Sequence, residues 1–387
     1  MMKNQQNKDN LFSLFLTFLR FGFMAWGGPV AQIAMIKEEL VDQKNWISQD
    51  RFKRTLAVYQ ALPGPEAQEL CVYFGMIQKG RIGGFLAGLG FMLPGFLLML
   101  TLSYFYKIYG ATALFPLFVG VAPAVSALII RAAHRISTHI LCSKSLIFLG
   151  IFSAILTFLQ IHFLWVFVIC IAFRSFWSKD RKIAAIIFCI AIIILSFAIH
   201  NLTSEIKLPF VNTKSGLFIE GLKAGLLSFG GAYTAIPFLQ NSMVGNYDAI
   251  TTQTFLDGIA LANIIPAPLI IFATHLGFLA GNFGGAFLIS AGIFLPAFSF
   301  TLLGHKHLEK LVENKIFHNT LDSISAAVSG MLITTALQIF LHTINNWIQV
   351  IIFTIALLGF YLIKWRFNVP LIIIFCGLFG YIINYNL

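Results

Sequence analysis

A break of the form proline–small residue–proline occurs twice in this chain, each time inside an apolar stretch. The first copy is Pro63-Gly64-Pro65 and the second is Pro266-Ala267-Pro268. Because proline lacks a backbone N–H and restricts the residue before it, neither stretch can continue as a single helix. Inside a membrane, each freed backbone group costs free energy unless protein or water satisfies it. Both breaks therefore belong in buried protein or beside a water-filled cavity, and both are candidate solute sites.

The composition places these breaks in a membrane protein. Of the 387 residues, 58% are hydrophobic and only 11% are charged, whereas soluble domains carry about 25% charged residues. The basic residues behind the net charge of +11 gather in short loops between apolar runs. That pattern is typical of cytoplasmic loops and gives no reason to expect a nucleic-acid partner. The five cysteines form no CxxC pair, so no metal and no other cofactor is predicted. We predict an all-α polytopic membrane protein.

An internal repeat relates the two halves of the chain. Gly27-Gly28 and Gly230-Gly231 are 203 positions apart, as are the two Pro-x-Pro breaks. Leu93-Pro94 and Leu295-Pro296 continue the match with an offset of 202. A shared register of this kind is the signature of a duplicated structural unit. We therefore predict a tandem duplication.

The repeat and the apolar runs give the predicted organisation. The four segments are residues 1–140 (first repeat), 141–215 (connecting transmembrane helices), 216–341 (second repeat) and 342–387 (C-terminal transmembrane helices). The connecting segment is predicted to make two short crossings that turn near Gln160-Ile161-His162, followed by another crossing at 183–199.

Charge gives the predicted orientation. Arg131, Arg135 and Lys144 are interpreted as one cytoplasmic loop after a span at 114–130, and the basic residues within 174–182 as another. Counting crossings between them, the first repeat starts and ends inside, whereas the second starts and ends outside. We predict two inverted-topology repeats, whose short broken or re-entrant helices meet near the midplane. The alternative, in which some short helices cross the membrane fully, stays open.

The residues at the breaks suggest an anion site. A helix N-terminus offers unpaired N–H groups, and glycine lets an anion approach the backbone closely. Arg20 and Lys223 occupy equivalent positions inside apolar helices, where they either bind substrate or extend to the interface. Gln60 and Asn263 also correspond, and they either contact a ligand or tie the broken backbone together. The predicted substrate-binding residues are Arg20, Gly27, Gly28, Pro29, Gln60, Pro63, Gly64, Pro65, Lys223, Gly230, Gly231, Asn263, Pro266 and Pro268. Two cations with several helix N-termini favour a small tetrahedral dianion.

Two carboxylates lie beside the first break without a counterpart in the second. Glu66 and Glu69 correspond to the apolar Leu269 and Phe272. Glu66 either stabilises the dipole of the helix that it begins, or carries a proton whose gain and loss changes substrate affinity. Both residues are therefore proton-coupling candidates. No HExxH, GxSxG or Walker loop occurs, so no enzyme is predicted.

The motifs around the breaks resemble those of a known family. Trp26-Gly27-Gly28-Pro29, Leu62-Pro63-Gly64-Pro65 and Phe91-Met92-Leu93-Pro94-Gly95-Phe96 are similar to segments of the chromate ion transporter family. Phe229-Gly230-Gly231 and Phe294-Leu295-Pro296-Ala297-Phe298 resemble the second half of its long, two-domain members.

The resemblance implies an inner-membrane carrier in a prokaryote that expels chromate from the cytoplasm by alternating access. It implies chromate or sulfate as the small oxyanion, with sulfate or the proton gradient as the coupled species. Membrane lipid is an expected partner, and a homodimer is left open. The alternatives are a transporter or channel for another small anion or solute, and an intramembrane enzyme.

Overall fold

The computed structural model describes residues 10–113, 115–159, 161–177, 214–229, 231–312, 315–365 and 367–385. Within these ranges the regular elements are helices, accompanied only by two isolated β-bridges. Three helical segments are long and apolar enough to span a membrane, namely Glu66–Tyr109, Leu269–Gly304 and Asn319–Thr343. The prediction of an all-α polytopic membrane protein is confirmed. Gly230 and the predicted crossing at 183–199 lie outside the described residues.

The first repeat consists of short helices that end at the predicted breaks, followed by two long ones. Its helices are α1 (Leu11–Phe23), α2 (Gly28–Ile36, continued by the π-helical Lys37–Gln43), α3 (Gln49–Ala61), α4 (Glu66–Ala113) and α5 (Phe115–Ile140). The Ser48 side chain caps α3 by accepting a hydrogen bond from the backbone N–H of Arg51. Helix α3 ends at Ala61, where Pro63 prevents a further turn, whereas α1 ends at Phe23, four residues before Gly27.

Helix α4 is a hairpin of two legs, residues 66–78 and 81–113. The backbone leaves helical geometry at Lys79 and Gly80, where φ of Gly80 is 64°. The legs touch at Gly75 and Gly83: a Cβ added to Gly75 would lie 2.3 Å from the carbonyl oxygen of Gly83. Only glycine permits such close backbone contact between membrane helices. Lys79 and Gly80 therefore form a tight reversal between the two legs.

The second repeat reproduces these features. Its helices are α8 (Lys214–Leu227), α9 (Ala235–Met243, preceded by the 3-10 turn Ala232–Thr234), α10 (Thr252–Ile264), α11 (Phe272–Val312, preceded by the 3-10 turn Leu269–Ile271) and α12 (Lys315–Thr343). Helix α11 reverses at Gly281 and Asn282, the counterparts of Lys79 and Gly80. A Cβ on Gly277 would lie 2.6 Å from the carbonyl oxygen of Gly285, so the two hairpins share their packing.

In the described part of the chain, four further helices lie outside the repeats. They are α6 (Lys144–Phe158), α7 (Phe163–Trp177), α13 (Trp347–Leu362) and α14 (Asn368–Tyr385). Helices α6 and α7 are short and apolar and lie where two short crossings were predicted, and α13 and α14 lie in the predicted C-terminal segment. That these helices cross the membrane stays a prediction. The hydroxyl of Ser153 on α6 donates to the carbonyl of Ala327 on α12 at 3.0 Å, which fixes α6 against the second repeat.

One prediction about the first repeat is wrong. Arg131 and Arg135 do not belong to a loop, because α5 runs without interruption to Ile140. Loops between apolar runs are usually where arginines of membrane proteins occur. Here the helix continues because its arginines face a cavity rather than lipid, as described below.

The outer legs of α4 and α11 run antiparallel against each other. Leu302 lies beside Gly84, and Phe298 beside Gly88. At the far end Tyr104 packs on Phe283, with ring centroids 6.1 Å apart. Residue numbers rise along one leg as they fall along the other, so equivalent helices of the two repeats point in opposite directions at this contact. The inverted orientation of the repeats in a membrane stays a prediction, and this contact is the observation that bears on it most closely.

Candidate functional site

The breaks of the two repeats contact each other across the molecule. The backbone N–H of Gly64 donates to the carbonyl of Ser228 at 3.2 Å, and Pro63 forms an isolated bridge with Phe229. In the related contact, the Gln32 amide donates to the carbonyls of Ala25 and Ala267 at 2.9 and 3.2 Å. Each Pro-x-Pro break therefore meets the end of the first helix of the other repeat, and hydrogen bonds between repeats satisfy part of the broken backbone.

A cavity of about 670 Å³ opens beside these breaks. It is lined by Pro29, Val30, Gly231 and Tyr233 at or beside the two glycine pairs. Gln60 and Glu66, which flank the first Pro-x-Pro break, also line it. Helix α5 supplies the rest of the wall, namely Leu128, Arg131, Ala132, Arg135, Ile136, His139 and Ile140. The volume lies in the range of small-molecule sites and leaves room for a small ion with bound water.

The basic side chains of the cavity lie along one stripe of α5. Arg131, Arg135 and His139 are four residues apart, so a helix presents them on one face, one turn above another. Arg131 is half-buried, and its guanidinium lies 5.9 and 6.0 Å from the ring centres of Phe360 and Tyr361. Contact with aromatic faces holds the guanidinium of an arginine in place and leaves its N–H groups available for hydrogen bonds. The stripe thus brings two permanent positive charges to one wall.

Tyr233 brings the second repeat to the same wall. Its side chain lies close enough to interact electrostatically with both Arg131 and Arg135. It follows Gly231, whose φ of 114° requires glycine and which has no other atom within 4 Å of a built Cβ. The cavity therefore combines two guanidinium groups, a phenol and an uncovered stretch of backbone, a set of hydrogen-bond donors without a matching set of acceptors.

Glu66 is the one carboxylate among the residues that line this cavity. It begins α4, hydrogen-bonds with the Gln60 side chain and lies within electrostatic range of Arg135. A negatively charged group placed beside an arginine occupies part of the positive charge that an anion would need. Glu66 and an anionic ligand would therefore compete for Arg135.

Glu69 lies one turn farther into α4 and is fully buried. Neither of its carboxyl oxygens has a hydrogen-bond partner among the described residues. A Cβ added to Gly64 would lie 3.0 Å from its Oε1, so the carboxyl group sits directly against the Pro-Gly-Pro turn. Since an unpaired buried charge is very costly, this geometry favours the protonated acid.

Arg20 and Lys223, which were predicted to bind substrate, do not line the cavity. Arg20 forms an ion pair with Glu39, which also pairs with Lys44 at 2.8 Å, and half of its side chain is exposed. Lys223 pairs with Glu220 at 2.9 Å and is also about half exposed. Each cation is thus paired with a carboxylate outside the cavity, and Arg20 shares its carboxylate with Lys44. Their role in binding stays a prediction without a supporting contact.

The remaining predicted residues lie in several places. Pro29, Gln60 and Gly231 line the cavity, and Pro63, Gly64 and Pro65 form the turn behind Glu66. Gly27 and Gly28 lie at the start of α2 with φ of 86° and 76°. Pro266 and Pro268 are buried in the other break, and Asn263 donates back to the carbonyl of Ile259 within its own helix. Of these residues, only Pro29, Gln60 and Gly231 belong to the cavity wall.

Sequence reasoning missed the residues that give the cavity its charge. Arg131, Arg135 and Tyr233 were not predicted to belong to the site. A signal was present, because the spacing of Arg131, Arg135 and His139 places all three on one helix face. For Tyr233 no signal was available, since its role depends on contact between repeats.

The sequence profile described as "Chromate transporter" matches residues 12–204 and 215–381, one stretch in each half. The chain belongs to the chromate transporter family. It is 44% identical, over 96% of its length and 92% of the other protein's, to a protein named "Chromate transport protein" from Pseudomonas aeruginosa. It is also 29% identical to a "Chromate transport protein" from Cupriavidus metallidurans, over 82% of this chain and 79% of that protein.

More distant similarity extends beyond bacteria. The chain is 28% identical, over 98% of its length and 96% of the other protein's, to an "Uncharacterized transporter" from Methanocaldococcus jannaschii. No solved structure matches the chain. Family membership and the apolar helices identify an integral membrane protein of a transporter family, and they point to a transporter rather than an enzyme.

Proposed function

We propose that this protein is a secondary transporter of small tetrahedral oxyanions, with chromate as the substrate and sulfate as a related one. The observation that carries the proposal is the cavity in which Arg131, Arg135 and Tyr233 meet beside the interrupted helices. The names of the similar proteins supply the substrate, and the donor set of the cavity suits it. Guanidinium groups form paired hydrogen bonds with oxyanions, and an uncovered glycine backbone adds further donors.

The charge count favours a dianion. Two arginines and Glu66 line the cavity, so with Glu66 ionised the wall would have a net charge of about +1 without His139. A dianion that displaced Glu66 from Arg135 would be matched by both guanidinium groups. A neutral solute of similar size would not compensate the charges of the half-buried Arg131 and the exposed Arg135, which disfavours its binding relative to a dianion.

Alternating access follows from the relation between the repeats. The antiparallel outer legs and the reciprocal contacts between breaks support two inverted copies that rock about one central region. In this mechanism the cavity faces one side of the membrane at a time. The helix reversals at Gly80 and Asn282 would then lie towards opposite faces.

Efflux is the direction that the membrane potential favours. A potential of 100 mV, negative inside, is worth about 2.3 kcal/mol for each elementary charge. For a dianion that moves outward alone, this amounts to about 4.6 kcal/mol. We therefore place the protein in the plasma membrane of a prokaryote, where it would lower the cytoplasmic concentration of chromate. A homodimer is compatible with the lipid-facing helices but has no specific support.

Proton coupling is assigned to Glu66 and Glu69. When Glu66 is ionised, it competes with the anion for Arg135; when it is protonated, the competition ends. Proton binding and anion binding therefore favour each other at this cavity, so protonation of Glu66 would raise the affinity of the cavity for the anion. Glu69, buried behind the turn without a partner, is a place for a second proton.

The test is flux of chromate, sulfate and chloride in proteoliposomes that contain the purified protein. Saturable uptake that exchanges with internal anion supports a carrier, whereas fast, linear flux without exchange indicates a channel. The Arg131→Gln and Arg135→Gln variants should each reduce chromate flux at least about tenfold, because each removes a charge-assisted hydrogen bond worth about 1.5–3 kcal/mol.

The matched control is Lys144→Gln, which removes an exposed positive charge at the start of α6 and should leave flux unchanged. Wild-type flux in both arginine variants, with normal folding, would remove the cavity from the transport path. A different substrate preference in the panel would keep the carrier but replace chromate.

A further inference from the structure

A second group of ionisable side chains is buried away from the cavity, between the two repeats. Ser103 and Tyr106 lie on the outer leg of α4, Asp257 lies on α10 and His275 lies on the first leg of α11. Asp257 is 2% exposed and His275 is completely buried. None of the four lines the cavity described above.

The hydrogen bonds fix which nitrogen of His275 carries its proton. The Ser103 hydroxyl lies 2.7 Å from the carbonyl of Met99 and 3.0 Å from Nδ1 of His275. A hydroxyl has one proton, and it is given to the carbonyl, so Ser103 accepts from Nδ1–H. In the neutral imidazole, Nε2 is then a bare acceptor. It has no partner among the described residues.

A buried acceptor without a donor costs about 1–3 kcal/mol. A proton on Nε2 would turn this acceptor into a donor and would place a positive charge on the ring. Asp257 is the nearby group that could supply a negative charge. It accepts hydrogen bonds from the hydroxyl of Tyr106 at 2.7 Å and from the side-chain amide of Gln253 at 2.8 Å. The Tyr106 ring meets the imidazole edge to face, with centroids 4.8 Å apart, and so connects the acid with the base.

The surroundings contain no competing ion pair among the contacts of the described residues. Lys107 follows Tyr106 but donates to Asn282 at 2.7 Å, at the reversal of α11. Gly258 on α10 packs directly on the imidazole, since a Cβ there would lie 2.8 Å from Cδ2. The charged residues near His275 are thus Asp257 and Lys107. Asp257 is separated from the imidazole by the Tyr106 ring, and Lys107 is bound to Asn282 at the reversal of α11.

The first repeat does not duplicate this arrangement. The counterparts of Asp257 and His275 are Arg54 and Tyr73. Tyr73 accepts a hydrogen bond from Nε of Arg51 at 2.9 Å. Among the described residues, the acid and the base are therefore paired only in the second repeat, at its contact with the outer leg of α4.

We propose that His275 and Asp257 form a proton-binding site within the contact between the repeats, separate from the cavity. A proton on Nε2 gives an imidazolium whose new N–H has no acceptor in the packed arrangement. Water must enter to satisfy it, so the outer leg of α4 separates from the second repeat around Tyr106. Loading this site loosens the contact, and releasing the proton closes it.

The test measures the separation directly and needs no transported substrate, so its outcome is independent of the proposed function. Nitroxide labels are placed at Tyr104→Cys and Phe283→Cys, whose native rings touch across the contact, in a chain without its five native cysteines. Dipolar broadening between the labels should fall at least about twofold between pH 7.5 and pH 3.5, a range that extends below that of an exposed histidine because a buried ring resists a positive charge. In the His275→Gln variant the broadening should not depend on pH.

The controls separate proton binding from loss of structure. Tyr73→Phe alters the first-repeat counterpart of His275 and should retain the pH dependence of the parent. Asp257→Asn removes the counter-charge and should shift the transition to lower pH. A parent without pH dependence, or the same transition in the parent and His275→Gln, would overturn the proposal. If His275→Gln does not fold, an unshifted transition in Asp257→Asn would overturn it.

Discussion

Arg135 and Glu66 show how a single pair of residues sets the behaviour of the cavity. Both line it, they lie within electrostatic range, and Gln60 holds the carboxylate in place by a hydrogen bond. An incoming anion must therefore displace a resident carboxylate before it gains the full charge of Arg135. Removing the carboxylate or protonating it has the same effect on that competition.

This competition predicts the pH dependence of transport. In the wild-type protein, acidification protonates Glu66 and frees Arg135, so the apparent affinity for chromate should rise as the pH falls. Glu66→Gln keeps the shape of the side chain and has no charge to lose. Chromate uptake by this variant, measured from pH 5.5 to 8.5 in proteoliposomes, should be nearly independent of pH and at least as tight as in the acidified wild type. A pH profile identical to that of the wild type would leave Glu66 with a capping role alone.

Glu69 gives a prediction about stability. Its two carboxyl oxygens are buried without partners, whereas the neighbouring Gln68 donates to the carbonyl of Gly88 at 2.8 Å. Glu69→Met removes an unsatisfied polar group at similar volume, so it should stabilise the protein by about 1–3 kcal/mol. Gln68→Met breaks a buried hydrogen bond and should destabilise it. Thermal unfolding in detergent measures both, and a lower melting temperature for Glu69→Met would indicate that the carboxyl has a partner the structure does not reveal.

At the scale of elements, the positions of the breaks follow from the covalent constraints of proline and glycine. The packing of the helices does not follow from these constraints. Pro63 and Pro65 end α3 where they stand, so this boundary was predictable from the sequence, whereas α1 ends at Phe23, before the paired glycines. The two ion pairs of Arg20 and Lys223 were not equally predictable from the sequence. Glu220 precedes Lys223 by three residues on one helix, a spacing that already indicated a pair. Glu39 reaches Arg20 only because the chain turns between α1 and α2, which no local pattern reports.

Helix α5 shows why part of the site was misassigned. Arginines between apolar runs indicate a loop, because charge in lipid is expensive. Arg131 escapes that cost by facing a cavity and two aromatic rings, all contributed by distant parts of the chain. The error therefore lies at the level of tertiary contact, where a single sequence carries little information.

The glycine contacts in the hairpins predict matched effects in the two repeats. A methyl group at Gly75 or Gly277 would lie 2.3–2.6 Å from a backbone carbonyl of the opposite leg. Gly75→Ala and Gly277→Ala should therefore each lower the melting temperature by several degrees, because backbone cannot yield as a side chain can. Gly359→Ala is the control: its nearest neighbour is the tip of Ile372 at 3.0 Å, and alanine favours the helix. Equal melting temperatures for all three would contradict the close contact of the legs.

At the scale of the whole molecule, the antiparallel legs predict a topology. If the repeats are inverted, the reversals of α4 and α11 face opposite sides of the membrane. Lys79→Cys and Asn282→Cys, each in a chain without other cysteines, should then be labelled by an impermeant thiol reagent from opposite sides of oriented vesicles. Detergent should make both accessible, which controls for burial. Labelling of both from one side would contradict the inverted arrangement.

The basic stripe on α5, formed by Arg131, Arg135 and His139, has no copy in the second repeat. The counterparts of Arg131 and Arg135 are Ile333 and Leu337, both partly exposed on the outside of α12. A carrier with two chemically identical halves would have equivalent binding sites in its two open states, and its affinity for the substrate would be the same on both sides of the membrane. In this protein the two arginines of the cavity wall belong to the first repeat alone. If the protein alternates between two open states as proposed, its affinity for the anion would therefore differ on the two sides of the membrane, while the gradients and the membrane potential would still set the direction of net flux.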